Sequence, residues 1–84
     1  MNTKDYLKEH DFRKISSNNE NEGIENIVVE EVCKNEDGLI LLEFEKTISD
    51  TMVSYETVEE LFPNYDFDIN KGYLFKLNDE LYFE

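Results

Sequence analysis

Apolar and polar positions near the start of the chain repeat at helical spacing. Thr3 is a favourable N-cap, so residues 4–10 are predicted to form a two-turn helix that directs Tyr6 and Leu7 inward. Residues 12–16 are predicted to form a short strand.

A long β-hairpin is predicted in the middle of the chain. Residues 24–34 and 39–48 are rich in Val, Ile, Leu and Phe, and the turn at 35–38 ends in Gly38, which can supply the positive φ of a type I turn with a bulge. The polar segment 17–23, which precedes the hairpin, is predicted to be a surface loop.

The sequence is compatible with two registers of this hairpin. One places Glu31 opposite Glu43, and the other places Glu30 opposite Glu43. In both registers a glutamate lies directly across from a glutamate, which is destabilising on one face of a sheet.

A second helix is predicted over residues 55–62, with Ser54 as its cap. Its apolar residues fall on one face and its glutamates on the other. Pro63 is expected to end it, because the residue before a proline is disfavoured in the α region.

Three strands are predicted after this helix. Residues 64–69 alternate polar and apolar side chains, which is typical of a half-buried strand. After a turn at 70–72, residues 73–77 and 81–84 are predicted to pair around a loop at 78–80.

The pattern also predicts the register of this last pair. A three-residue loop places Leu77 opposite Leu81 and Phe75 opposite Phe83, whereas a slip of one residue would transfer apolar side chains to water. The strand at 81–84 is expected at a sheet edge, where a second copy or a partner's strand could pair with it, so the oligomeric state stays open.

Together these elements predict one small α+β domain over residues 1–84, with an antiparallel β-sheet and the order α-β-β-β-α-β-β-β. A chain of this size buries only about 60 % of the surface that it exposes when unfolded. The core is therefore expected to be small.

The net charge narrows the classes of function. The chain has 21 Asp or Glu against 8 Lys or Arg, a formal net charge of −13. Such a surface repels phosphates and anionic lipids, which excludes direct nucleic-acid binding through a basic groove and membrane binding through a polybasic patch. The single Cys33, together with a polar, charged N-terminus, leads us to expect an intracellular, cytoplasmic protein without disulfides.

No motif predicts catalysis, a metal or a cofactor. Asp66, Asp68 and Asn70 resemble the first half of a calcium loop, but Lys71 and Leu77 occupy the positions that require Gly and Glu. His10 and Cys33 are single residues far apart in sequence, and no nucleotide-binding glycine motif occurs. The sequence therefore predicts a binding protein and not an enzyme.

The candidate site is the acidic surface, supplemented by tyrosines as apolar anchors. Rows of carboxylates on a rigid scaffold imitate the negative charge of a nucleic-acid backbone, and aromatic side chains supply the buried contacts that charge alone cannot. The predicted partner-binding residues are Glu30, Glu31, Glu43, Glu45, Glu56, Glu59, Glu60, Asp66, Asp68, Tyr65, Tyr73 and Tyr82.

In size and charge the chain resembles small acidic inhibitors of nucleic-acid enzymes from phages and mobile elements: uracil-DNA glycosylase inhibitors, anti-restriction proteins and some anti-CRISPR proteins. This resemblance implies a partner with a cationic nucleic-acid groove in a bacterial host. Immunity proteins of nuclease toxins share the same features, so neutralisation of a cationic toxin is the alternative. An acidic interaction module without inhibitory activity is the third possibility, in which the acidity serves solubility.

Overall fold

The computed structural model describes residues 3–15, 28–46 and 52–83. These residues form an α+β domain with an antiparallel sheet, as the sequence predicted. Its elements are α1 (Thr3–Glu9), β1 (Arg13–Ile15), β2 (Glu30–Lys34), β3 (Ile40–Glu45), α2 (Tyr55–Leu61), β4 (Lys71–Leu77) and β5 (Glu80–Phe83). The predicted loop at 17–23, residues 24–27 of the predicted hairpin strand and residues 47–48 of its partner lie outside the described residues.

The five described strands form one sheet in the order β1-β5-β4-β3-β2. Strand β5 lies between β1 and β4, because Arg13 pairs with Phe83 and Leu77 pairs with Glu80. The expectation that the last strand is a sheet edge is therefore wrong, and its backbone already has partners on both sides.

Apolar side chains are buried on both faces of the sheet. The inner face carries α1 and α2, and its core joins Tyr6 and Phe62 to Tyr73 and Phe75 of β4. The outer face buries a second cluster, which consists of Leu42, Phe44, Leu74 and Phe83. The central strands β3 and β4 therefore bury consecutive residues, which is why their sequences lack strict alternation.

Of the two registers that the sequence allowed for the central hairpin, the structure has the second. Glu30 pairs with Glu43, and a bulge between Glu31 and Cys33 shifts the ladder by one residue. Gly38 has φ +90° at the turn, as predicted. Strand β2 begins at Glu30, so Val28 and Val29 precede it without regular structure.

Ser54 caps α2, as predicted, because its hydroxyl accepts a hydrogen bond from the Thr57 N–H at 3.3 Å. Thr3, by contrast, lies within the first turn of α1. Its N–H and its hydroxyl both donate to Asp37 Oδ2, at 3.1 and 2.6 Å. The β2–β3 turn thus supplies the carboxylate at the N-terminus of α1, where negative charge is favourable.

The strand predicted over residues 64–69 does not form, so the observed order has one strand fewer than predicted. Tyr65 and Phe67 are half-buried and Asp66 and Asp68 are exposed, so the alternation reports burial on one side. That burial comes from rings packed on Tyr73, with centroid distances of 6.3 Å for Tyr65 and 6.5 Å for Phe67, and not from a strand ladder.

The loop of the last hairpin has two residues, not three. Asn78 and Asp79 have φ of 54° and 67°, as a type I′ turn requires, and this turn matches the twist of the flanking strands. The predicted pairing of Leu77 with Leu81 is therefore wrong. The one-residue difference does not expose apolar side chains, because Tyr82 packs on the inner core and Leu81 on the outer cluster.

Candidate protein-binding surface

Glu43 is held by two tyrosine hydroxyl groups on the inner face. Tyr73 lies opposite Glu43 in the β3–β4 ladder and donates to its Oε2 at 2.7 Å. Tyr65 donates to the same oxygen at 2.9 Å. Glu43 therefore acts as an internal acceptor, and its carboxylate is half-buried.

The two tyrosines stay protonated in this arrangement. Burial raises the pKa of Tyr73, and the bond to Glu43 raises it further, although the Asp68 N–H that donates to its hydroxyl acts in the opposite direction. Burial likewise raises the pKa of Tyr65, and the bond to Glu43 adds to the effect. Both hydroxyls therefore remain donors to Glu43 at neutral pH.

The segment 62–70, between α2 and β4, is anchored to the inner face by aromatic contacts and hydrogen bonds. The rings of Tyr55 and Phe67 stack with centroids 5.1 Å apart. The Tyr55 hydroxyl lies within hydrogen-bonding distance of the carbonyls of Ile69 and Lys71, at 2.8 and 2.7 Å. These contacts keep Asp66 and Asp68 on the solvent side of the segment.

Two of the predicted carboxylates are paired with lysines. Glu45 Oε1 lies 3.0 Å from Lys71 Nζ, and Glu31 Oε2 lies 3.1 Å from Lys76 Nζ. The hydrogen bond to Glu45 raises the pKa of Lys71, so this lysine is charged at neutral pH. Exposed pairs of this kind add little stability, but they reduce the negative charge offered to a partner.

Most of the remaining predicted carboxylates are exposed on two elements that cover the inner face of the sheet. We call the five exposed side chains on α2 and the segment 62–70 the acidic face: Glu56, Glu59, Glu60, Asp66 and Asp68. Both elements pack over the inner face of the sheet, so these side chains point away from it. Glu30 is also exposed, at the edge strand β2, whereas Glu31 belongs to the opposite face of the sheet because it pairs with Leu42.

The three predicted aromatic anchors differ in their exposure. Tyr73 is fully buried in central strand β4, so it cannot contact a partner. Tyr82 is half-buried and packs against the inner core. Only Tyr65 lies beside the acidic face. Ile69, which the alternating pattern predicted to be inward, is 64 % exposed and is an apolar surface side chain that sequence reasoning missed.

A pocket of about 480 Å³ opens at one end of the acidic face. It lies where the N-terminus of α1 and the β2–β3 turn meet the end of α2, and its lining includes Glu60 and Tyr65 of the predicted set. The lining comes from three segments that are distant in sequence, at residues 3–6, 33–37 and 60–65, so no local pattern could have predicted the pocket.

Acid is expected to weaken the contact between α1 and the β2–β3 turn beside this pocket. Hydrogen bonds from the Thr3 hydroxyl and N–H hold the pKa of Asp37 below its ordinary value of 3.8. Because the folded pKa is the lower one, the stabilisation is fully present above pH 3.8 and is lost as the pH falls through the folded pKa.

The amide resonance of Thr3 should report this titration, with a midpoint below 3.8. In the Asp37→Asn variant the same amide should show no such step. A midpoint at or above the ordinary value, or a step that persists in the variant, would contradict the assignment.

Within the described residues, no group of three His, Cys, Asp or Glu side chains is placed to hold a metal ion. Asp68 Oδ1 accepts a hydrogen bond from the Asn70 N–H at 2.8 Å, so the calcium-like spacing serves a local turn. The ring of His10 stacks on Tyr6 at a centroid distance of 4.1 Å. Neither of the two described helices is long and apolar enough to cross a membrane.

The fold and this surface define a small acidic α+β domain whose inner face is covered by two short helices and an aromatic segment. Comparison with family models, with curated proteins and with solved structures finds no match to the chain.

Proposed function

We propose that this domain is a stoichiometric inhibitor that occupies the cationic nucleic-acid groove of an enzyme or defence nuclease with its acidic face. The observation that supports the proposal is the exposure of Glu56, Glu59, Asp66 and Asp68 on two consecutive elements that cover the inner face of the sheet, in a chain of net charge −13. A groove that binds a polyanion offers the complementary charge, and such complementarity speeds association and selects the partner.

The scaffold beneath the acidic face favours binding through preorganisation. The stacking of Tyr55 on Phe67 and the bond from Tyr65 to Glu43 hold the segment 62–70 in place before any partner arrives. Little chain entropy is then lost on association. Ile69 and Tyr65 supply apolar surface beside the carboxylates, which charge complementarity alone lacks.

In this proposal the protein acts in the cytoplasm of a bacterial cell, as anti-CRISPR, anti-restriction and glycosylase-inhibitor proteins of phages do. It has no catalytic activity and needs no cofactor. The partner's lysines and arginines replace the water and counterions around the acidic face.

We expect binding to the partner to weaken steeply with salt and with loss of charge on the acidic face. The partner would be captured from a bacterial lysate on the immobilised domain, identified by mass spectrometry and purified. Its Kd should then rise at least about tenfold between about 50 and about 300 mM salt. The triple variant Glu56→Gln, Glu59→Gln, Asp66→Asn should lose both affinity and much of this salt dependence.

A matched control removes the same charge elsewhere. The triple variant Glu9→Gln, Asp11→Asn, Asp79→Asn alters exposed positions outside the acidic face, and Asn tolerates the positive φ of Asp11 and Asp79. If both triple variants weaken binding equally, or if Kd is flat with salt, the proposal is wrong.

A competition experiment tests whether the domain binds in the nucleic-acid groove of the partner. Duplex DNA or RNA that binds the partner should displace the domain, and the domain should inhibit the partner's activity on nucleic acid at a 1:1 ratio. A captured toxin whose nucleic-acid site stays open in the complex would instead assign the chain to the immunity proteins and overturn the inhibitor proposal.

A further inference from the structure

We infer that the pocket at the end of the acidic face receives an arginine side chain of the cationic partner. The inference rests on the proposed function and names the contact that anchors the partner. The pocket has a volume of about 480 Å³, which lies in the range typical of sites that enclose a ligand group.

Part of the pocket wall is apolar. This part consists of Tyr6 and Phe62, each 3 % exposed, of half-buried Leu61 and Tyr65, and of Pro63. The methylene groups of a long side chain can pack on such walls. Among the aromatic residues of the lining only Tyr65 is accessible enough to attract a cation to its ring, because Tyr6 and Phe62 are buried.

The charged side chains of the pocket favour a cation. Glu36, Asp37 and Glu60 line it, against the single ammonium group of Lys34. Asp37 accepts two hydrogen bonds from Thr3, but Glu36 and Glu60 are exposed at the rim, and no partner for either is found among the described residues. An incoming guanidinium would therefore meet carboxylates that are free to accept its hydrogen bonds.

Guanidinium fits this combination better than ammonium does. It is planar, it stacks on aromatic faces, and its donors form a fork that matches a carboxylate. It is also more weakly hydrated than an ammonium group, so its transfer into a pocket with apolar walls is less unfavourable. Glu36 of the β2–β3 turn and Glu60 of α2 come from different elements, so the pocket offers carboxylates from two sides.

The test titrates the full chain with Nα-acetyl-arginine amide and follows the amide resonances by ¹⁵N-resolved NMR. The neutral isostere Nα-acetyl-citrulline amide is the matched ligand control. We expect saturable shifts at pocket amides such as those of Asn35, Leu61 and Asn64 with the arginine compound, and none with the citrulline compound. Glu60→Gln and Glu36→Gln should each weaken this binding about two- to fivefold.

Glu9→Gln is the control variant, because it removes the same charge from an exposed position that belongs neither to the pocket lining nor to the acidic face. It should change the affinity for the arginine compound by less than about twofold. Equal shifts with both compounds, or equal losses in the Glu9→Gln and Glu60→Gln variants, would overturn the inference.

Shifts confined to Asp66 and Asp68 would also overturn it, and would leave the proposed function standing. Because the titration uses no partner protein, failure of the proposed function would not alter its outcome. The two ideas therefore fail in distinguishable ways.

Discussion

Replacement of Gly72 by alanine is expected to lower the free energy of unfolding by about 2 kcal/mol. Gly72 lies opposite Phe44 in the β3–β4 ladder, and the ring of Phe44 covers the glycine. A Cβ at position 72 would lie 2.5 Å from Phe44 Cζ and 2.6 Å from Cε2. Phe44 is 2 % exposed, so its ring can move only by displacing the outer cluster.

A double-mutant cycle tests this cause. Phe44→Leu removes the ring atoms that the new methyl group would meet, so the Gly72→Ala change should cost less in the Phe44→Leu background than in the wild type. Urea denaturation of the four proteins gives the coupling free energy. Strict additivity would show that the loss does not arise from contact with Phe44.

Replacement of Tyr73 by phenylalanine is expected to lower the free energy of unfolding by about 2 kcal/mol. The Tyr73 hydroxyl donates to Glu43 and accepts from the Asp68 N–H, at 2.7 and 2.8 Å. Its loss leaves two polar groups without this partner in a part-buried site, one of them a carboxylate. Hydrogen bonds to charged groups contribute more than neutral ones.

Tyr65→Phe is the matched control for this change. Tyr65 makes one of the two bonds to Glu43, but it is half-buried, so water can replace its hydroxyl more easily. Its loss should cost about half as much as that of the Tyr73 hydroxyl, or less. Equal losses in the two variants, measured by chemical denaturation, would show that the Asp68 N–H bond contributes nothing.

The Tyr73 network also connects stability to the candidate site. Asp68 belongs to the acidic face, and its backbone is bonded to the buried hydroxyl of Tyr73. Tyr73→Phe should therefore increase amide exchange at Asp68 and in the segment 62–70 more than in β3. Under the proposed function, affinity for the partner should fall as well, although Tyr73 is fully buried.

Local signals in the sequence predicted several elements well. Ser54 caps α2 and Gly38 supplies the positive φ of the central hairpin, since both effects act over three or four residues. The alternation at residues 64–69 was misleading, because a segment packed on aromatic rings has the same period of burial as a strand. The predicted register of the last hairpin was wrong because both faces of the sheet bury apolar side chains, so a shift of one residue does not expose them.

The sequence predicted which types of residue form the candidate site, but not which role each of them has in the structure. Glu43 and Tyr73 were expected at the surface, whereas they bond to each other on the inner face. Nothing in the sequence near Glu31 indicates that a lysine 45 residues away will pair with it, and nothing near Glu45 indicates its pairing with a lysine 26 residues away. The pocket is beyond such reasoning for the same reason, since it combines α1, the β2–β3 turn and α2.

The sequence by itself determined the α+β class, the central hairpin, helix α2 and the large negative charge, because turn geometry, helix capping and net charge depend on neighbouring residues or on composition alone. The tertiary structure decided which carboxylates remain available to a partner. Packing brought tyrosine hydroxyls to Glu43 and lysines to Glu31 and Glu45, while Glu56, Glu59, Glu60, Asp66 and Asp68 stayed exposed together. These contacts join residues far apart in the chain, so they exist only once the sheet and its covering elements have formed.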